Sequence, residues 1–274
     1  MQDFETRLTQ MQSILSQAIK DRFPDNPELV DNFVGIFQII QRVQLHDDGP
    51  SRELGLSFLT EAQRDLKVCE ILHKKRLYPP AVYHLQQAVE KATKGYLLGL
   101  GFYEASEMKE LFGHLTPQLF IKTLFDKTGV TSWAETLTDE TLKGKIGRAK
   151  ETISEEEKRI AIAQASHTEI DGILANIKRY YDMSSMLTTH VTSEIRNLVA
   201  PEFPIPFLWQ AIRPLICLFS LAIITFPHEA YTRYPDGKMT PSDYNRDLGI
   251  VSKTKKIAKF LKSEIDELKT IIRP

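Results

Sequence analysis

The sequence has few of the residues that build metal centres or disulfide frameworks. Its 274 residues include two cysteines, Cys69 and Cys217, and no Cys-x-x-Cys pair. The seven histidines show no metal-type spacing with Cys, Asp or Glu partners. We therefore expect no metal site, and we expect both thiols to fill core space in a reducing cytoplasm.

A long apolar run and an excess of charge are also missing. The most hydrophobic window, Leu215 to Phe226, lies between two prolines and is shorter than the roughly 20 residues that cross a bilayer. No basic region followed by an apolar segment opens the chain, so we expect a cytoplasmic protein without a membrane partner. The net charge of −1 gives no overall attraction to nucleic acid, although a local basic patch is compatible with it.

Common catalytic motifs are absent as well. The chain contains no Gly-rich phosphate loop, no Gly-x-Ser-x-Gly and no His-Glu-x-x-His. We therefore expect no cofactor, and any site must be built from less familiar combinations of side chains.

Helix signals dominate what is present, and strand-like alternation is not seen. Thr240-Pro241-Ser242-Asp243 combines a capping side chain, a first-turn proline and an acid that suits the helix dipole. Clusters of Pro and Gly, such as Pro201 to Pro206, mark where helices stop. The pattern predicts an all-α fold with helices near residues 3–21, 27–45, 51–75, 79–100, 117–127, 139–150, 154–199 (whole or broken), 206–231 and 241–272.

The last predicted helix is amphipathic. Its apolar stripe consists of Ile257, Phe260, Leu261, Ile265, Leu268 and Ile272. The lysines on its other side, which include Lys255 and Lys259, are typical of a solvent-facing surface, and we prefer that interpretation to phosphate binding.

Composition also suggests how the chain is divided. Residues 129–205 are the most charged and least apolar region, which is typical of an inserted helical arm. We predict an N-terminal helical extension at 1–48, a bundle in two parts at 49–128 and 206–274, and the arm between them.

Two polar stretches carry signals that core packing does not require. Gln86 to Lys94 (Gln-Gln-Ala-Val-Glu-Lys-Ala-Thr-Lys) lies inside a predicted helix, and Thr232 to Gly237 (Thr-Arg-Tyr-Pro-Asp-Gly) forms a turn between two helices. A helix that buries one face has no packing reason to line up amides and cations along another. Together the stretches indicate a helical bundle that binds something anionic.

The order of motifs along the chain is specific. A helix with Ala62, Asp65 and Leu66 precedes the Gln86 stretch, and Gly101-Phe102, Gly113-His114-Leu115, the Thr232 turn, Pro241 and Tyr244 follow it. This order resembles the HEPN domain family, which consists of small helical bundles from prokaryotic nucleotide-binding and ribonuclease-type proteins. The resemblance covers about residues 55–127 and 207–272. It implies a HEPN-like up-and-down bundle, a homodimer, and a site for a nucleotide or RNA.

The candidate ligand-binding or phosphate-binding residues are Gln87, Lys91, Lys94, His114, Arg233, Tyr234 and Asp236. Each also has a structural interpretation. Glu90 and Lys94 could form a weak surface pair, Arg233 could cap carbonyls at the preceding helix end, and His114 could cap the helix that it precedes.

The spacing typical of the family's nucleases is absent. Those enzymes carry an Arg followed, after four to six intervening residues, by a His that can act on a phosphate as acid or base. Here Arg76 and His84 have seven residues between them, and no His follows Arg196 within range. We therefore assign no catalytic residue and disfavour a ribonuclease of the usual type.

Three functional hypotheses stay open. The first is a protein that binds a nucleotide or nucleic-acid phosphate between helices, as an accessory to a nucleotidyltransferase-type partner or in a toxin–antitoxin-type system. The second is a metal-independent endoribonuclease with a non-standard site built from His84 or His114 and Arg233. The third is a non-catalytic interaction module in which the arm docks a protein partner.

Overall fold

The computed structural model describes residues 49–107, 156–196, 205–234 and 239–272, together with the single positions 13 and 17. Over these residues every regular element is helical and none is a strand, so the predicted all-α class is confirmed. The elements are α1 (Gly49–Lys74), α2 (Tyr78–Gly99), α3 (Glu156–Ala163), α4 (His167–Arg196), α5 (Ile205–Thr225), α6 (His228–Tyr231), a 3-10 helix (Pro241–Asp243) and α7 (Gly249–Ile272). The helices predicted at 27–45, 117–127 and 139–150 lie outside the described residues, as does most of 3–21.

The first two helices form a tight antiparallel hairpin. Arg76 in the connection adopts a left-handed φ of 62°, and the N–H of Leu77 donates to the carbonyl of Leu72 at 3.0 Å. Pro79 and Pro80 then occupy the first turn of α2, where a missing N–H costs no hydrogen bond. The helix axes approach closely because Gly55 of α1 faces Gly95 and Gly99 of α2.

The core is centred on α5, whose residues 214–225 are all buried. This helix packs against α2, α4 and α7. The predicted apolar stripe of α7 is also confirmed, with Phe260 half-buried and its other members buried. Both cysteines are free and buried, as expected. Among the described residues, no helix combines the length and apolar character needed to cross a membrane.

A buried polar cluster joins three of these helices. Glu264 of α7 is fully buried and accepts a hydrogen bond from Arg213 of α5 at 3.3 Å. The Arg213 guanidinium also pairs with Glu267 and lies 4.5 Å from the ring centroid of Tyr181 in α4. Burial raises the pKa of Glu264, although Tyr181 and Arg213 counteract part of that effect.

Three predicted helices are interrupted. The helix predicted at 154–199 breaks at Gln164–Ser166 into α3 and α4, and the one at 206–231 breaks before His228. The prediction of a helix at 241–272 was wrong for its first turns. The Thr240 and Asp243 capping box is present, but it caps the 3-10 helix, and α7 begins at Gly249. The reason is that Tyr244 leaves helical geometry, with ψ 83°, and its buried ring packs on His228.

The interval predicted as an inserted arm contributes to this core. Ile170, Ile173, Leu174 and Ile177 of α4 are buried, and the helix packs against α5 and α7. The division of the chain at residues 48, 128 and 205 stays a prediction.

Candidate phosphate-binding site

Three polar side chains from α1 and α2 form a half-buried cluster, named here the Asp65 cluster. One carboxylate oxygen of Asp65 lies 2.8 Å from Nδ1 of His84, and the other accepts a hydrogen bond from Nζ of Lys91 at 2.5 Å. The Asp65 side chain is 12% exposed, while those of His84 and Lys91 are 29% and 30% exposed. The carboxylate is therefore enclosed, and its two partners reach solvent.

The charge of Asp65 is fixed by its partners. Burial alone would raise its pKa, but the hydrogen bonds and charges of His84 and Lys91 outweigh burial and hold the pKa below its ordinary value. An ionised Asp65 holds the imidazole with Nδ1 as donor. The other ring nitrogen of His84, Nε2, is then the atom that can exchange a proton with a ligand.

The next turns of α2 carry an amide-and-carboxylate network. Gln87 donates to Gln86 at 2.7 Å, Gln86 donates to Glu90 at 3.2 Å, and Lys94 donates to Glu90 at 2.7 Å. The pair of Glu90 and Lys94 expected at four-residue spacing is therefore present. Its side chains are only 5% and 16% exposed, so the interpretation as a surface pair was wrong.

The bend after α6, residues 232–234, is held by Arg233 and is named here the Arg233 bend. Its Nε donates to the backbone carbonyl of Glu229 at 3.0 Å, and its Nη2 donates to the carboxylate of the same residue at 2.8 Å. The structural interpretation of Arg233, a cap on the preceding helix, is thus what the structure shows. Tyr234 is 53% exposed, and its ring centroid lies 5.2 Å from the guanidinium carbon.

Tyr83 connects this bend to α2. Its ring centroid lies 5.3 Å from the Arg233 guanidinium carbon and 5.5 Å from the centroid of the His84 ring, in an edge-on arrangement. Tyr83 precedes Gln87 by one helical turn, so Arg233 packs at the start of the α2 face that carries Gln87. The structure therefore brings together residues separated by more than a hundred positions in sequence.

Two candidate residues, His114 and Asp236, lie outside the described residues. No group of His, Cys, Asp or Glu side chains in the described part of the chain is arranged to hold a metal ion.

Sequence reasoning missed the link between Asp65 and His84. Asp65 was noted for the family resemblance and His84 for a nuclease hypothesis, but nothing joined them. Because they lie on different helices, only the register of the hairpin places them together. An Asp on one helix of a predicted hairpin and a His near the start of the next is the signal that could have found them.

Residues 56–167 match the model described as the HEPN domain. That part of the chain is therefore similar to the HEPN domain family. A curated protein of Methanocaldococcus jannaschii named a "putative toxin" is 31% identical to this chain over 93 residues. That match covers 34% of the chain and 57% of the relative, so the chain spans little more than half of that protein's length. No solved structure matches the chain.

Proposed function

We propose that this HEPN protein binds the phosphodiester backbone of RNA across the Asp65 cluster and the Arg233 bend. The observation that carries the proposal is the packing of Arg233 on Tyr83, which places a guanidinium beside the helix that presents His84 and Lys91. The resemblance to ribonuclease-type family members and the toxin name of the relative support RNA as the ligand.

The carboxylates in this region do not prevent anion binding. The hydrogen bonds described use one N–H of the Lys91 ammonium and two of the Arg233 guanidinium, and each cation has further donors. Asp65 and Glu229 hold the two cations in place, which lowers the entropy lost when a phosphate binds. Charge-assisted hydrogen bonds to phosphate are stronger than neutral ones.

Replacing Lys91 and Arg233 together by Gln is expected to weaken binding of a single-stranded RNA oligonucleotide about 100-fold. Each lost charge-assisted contact corresponds to a factor of roughly ten. Fluorescence anisotropy at one fixed salt concentration would measure the change, because phosphate binding depends strongly on salt. A double variant whose RNA affinity stays within about twofold of the parent would contradict the assignment of Lys91 and Arg233 to the RNA-binding site.

A matched control separates site binding from total charge. Lys67 and Lys259 are exposed lysines of α1 and α7 that belong neither to the Asp65 cluster nor to the Arg233 bend. Replacing both by Gln removes the same charge, and we expect RNA affinity to stay close to that of the parent.

A specific observation favours a second candidate function, metal-independent RNA cleavage. Asp65 orients His84 as a carboxylate orients a catalytic imidazole, which leaves Nε2 to accept the proton of a ribose 2′-hydroxyl. The 2′-oxygen would then attack phosphorus, and the 5′-oxygen would leave and take up a proton. Lys91 and Arg233 would stabilise the charge that develops on the phosphate oxygens.

Replacing His84 by Ala is expected to lower the cleavage rate of mixed RNA at least about 100-fold, the lower end of the usual contribution of an acid–base group. Replacing Asp65 by Asn should lower the rate by a smaller factor, because the imidazole stays but loses its charged partner. His167, an exposed histidine of α4, gives the control, and His167→Ala should cleave like the parent. Activity that survives His84→Ala would exclude this mechanism.

The setting of this function is part of the same proposal. We infer a cytoplasmic homodimer in a prokaryotic toxin–antitoxin-type system, with a nucleotidyltransferase-type partner. The family resemblance and the name of the relative support it.

A further inference from the structure

A second cationic feature lies at the end of the bundle where α1 meets the start of α7. A cavity of about 530 Å³ opens there, within the range of roughly 300–1,000 Å³ typical of small-molecule sites. We name it the α1–α7 pocket. Its lining residues are His73, Lys74, Arg76, Tyr78, Arg246, Val251, Ser252 and Lys255. None of them belongs to the Asp65 cluster or the Arg233 bend.

The charge of this pocket has one sign. Lys74, Arg76, Arg246 and Lys255 contribute four cations, and no lining residue is acidic. Glu70 and Asp247, the acids closest to them in sequence, are not among the lining residues. Within the described ranges, none of the four cations forms a salt bridge. This contrasts with Lys91 and Lys94 on α2, each of which is paired with a carboxylate.

Several of the lining groups are held in position without being neutralised. Nε of Arg246 donates to the hydroxyl of Tyr78 at 2.8 Å, which fixes one guanidinium across the pocket. The left-handed φ of Arg76, uncommon for a bulky residue, turns the hairpin connection at the rim. The rings of His73 and Tyr78 meet edge-on, with centroids 5.4 Å apart.

His73 supplies an unsatisfied polar atom. Its Nε2 donates to the backbone carbonyl of Val251 at 3.0 Å, which ties α1 to α7. Its Nδ1 is buried and has no hydrogen-bond partner among the described residues. Buried polar groups of native proteins are nearly always paired. His73 therefore contributes the hydrogen bond that holds two walls of the pocket together, and its enclosed Nδ1 is not counted as a ligand contact.

We propose that the α1–α7 pocket binds a small molecule that carries two or three linked phosphates. A single phosphate monoester has a charge of about −1.5 to −2 and would leave much of the positive charge uncompensated. A chain of phosphates matches both the charge and the volume. The free inorganic chain and a nucleoside 5′-polyphosphate share this chemistry, and Tyr78 offers a ring beside the pocket against which a base can pack.

Isothermal titration calorimetry of the full chain, without divalent cations, tests the proposal with tripolyphosphate and with ATP. We expect both to bind the parent. Arg76→Gly and Arg246→Gln should each weaken binding about tenfold, as expected for one charge-assisted contact. Glycine adopts the left-handed backbone of position 76 readily, so Arg76→Gly should fold as the parent does. Lys259→Gln, the charge-matched control on the same α7 helix, should bind like the parent.

Each result bears on the assignment. If ATP binds more tightly than tripolyphosphate, the ligand is a nucleoside polyphosphate. If the two bind equally, the ligand is the inorganic polyphosphate chain. Either supports the proposal. A parent that binds neither probe, or variants at positions 76 and 246 that both bind like the parent, would overturn it. The proposal would also be overturned if RNA affinity fell in these variants as much as ATP affinity. The pocket would then be part of the RNA-binding surface.

Polyphosphate binding in the α1–α7 pocket and RNA binding at the Asp65 cluster can be tested independently of each other. The variant with Lys91 and Arg233 both replaced by Gln keeps every lining residue of the α1–α7 pocket. It should bind tripolyphosphate like the parent whether or not it binds RNA.

Discussion

The protein is expected to lose stability steeply as the pH falls below about 6.5, because burial disfavours the protonated form of His228 while the chain is folded. His228 is buried, and burial lowers its pKa from 6.5 to about 3. Its Nδ1 lies 2.7 Å from the hydroxyl of Tyr244, a hydrogen bond that a neutral ring satisfies. Among the described residues, no carboxylate forms an ion pair with the ring that could stabilise its charged form.

The sign of the effect follows from proton binding in the two states. Between pH 6.5 and about 3 the unfolded chain binds a proton at His228 and the folded chain does not. The stabilisation is therefore fully present above pH 6.5 and is lost as the pH falls toward the folded-state pKa. The slope is about 1.4 kcal/mol per pH unit, and the full loss would be about 4 to 5 kcal/mol. A loss of that size is a large fraction of the roughly 5–15 kcal/mol that stabilises a typical domain.

Urea unfolding at pH 7.5, 6.5, 5.5 and 4.5 would measure this contribution. Carboxylates also titrate in this range, so the informative quantity is the difference between the parent and His228→Gln, which keeps a polar partner for Tyr244. We expect the two free energies of unfolding to converge by about 1.4 kcal/mol per pH unit below pH 6. Parallel pH profiles would show that His228 does not control acid stability.

The helices could be predicted because their signals are local. The α7 stripe repeats with the 3.6-residue period, and its buried members were identified correctly from that period alone. The capping pattern at Thr240 was also local and is present. It failed to mark α7 because Tyr244 is buried against His228, a contact between residues 16 positions apart that interrupts the helix.

The contacts of the candidate site were also predictable only where they lie within one helix. Sequence spacing correctly paired Glu90 with Lys94, since residues four apart lie on one helix face. It could not show that α1 covers part of that face, so the burial of Glu90 and the partners of Lys91 and His84 were not foreseen. Asp65 meets Lys91 from 26 positions away, and that distance is bridged by the geometry of the hairpin, which spacing along one helix does not contain.

The geometry of that hairpin depends on Gly55, and Gly55→Ala is expected to destabilise the protein by a net value of about 1 to 2 kcal/mol. A Cβ atom at Gly55 would lie 2.7 Å from the backbone nitrogen of Gly99 and 3.0 Å from the carbonyl oxygen of Gly95. Both are backbone atoms, so no side chain can rotate away and the two helices must separate. Alanine in a helix interior is otherwise favourable by roughly 0.5–1 kcal/mol, and overpacking of a tight contact typically costs more, about 1–3 kcal/mol.

Gly49→Ala is the matched control, because no atom lies within 4 Å of a Cβ built at Gly49 in the same helix. Its free energy of unfolding in urea should stay within about 0.5 kcal/mol of the parent value. Equal stabilities for the two variants would contradict the close approach of α1 and α2. If Gly55→Ala does separate the helices, Asp65 also moves away from His84 and Lys91. RNA binding should then weaken in this variant even under conditions where it is still folded, because the hairpin that sets stability also sets the site.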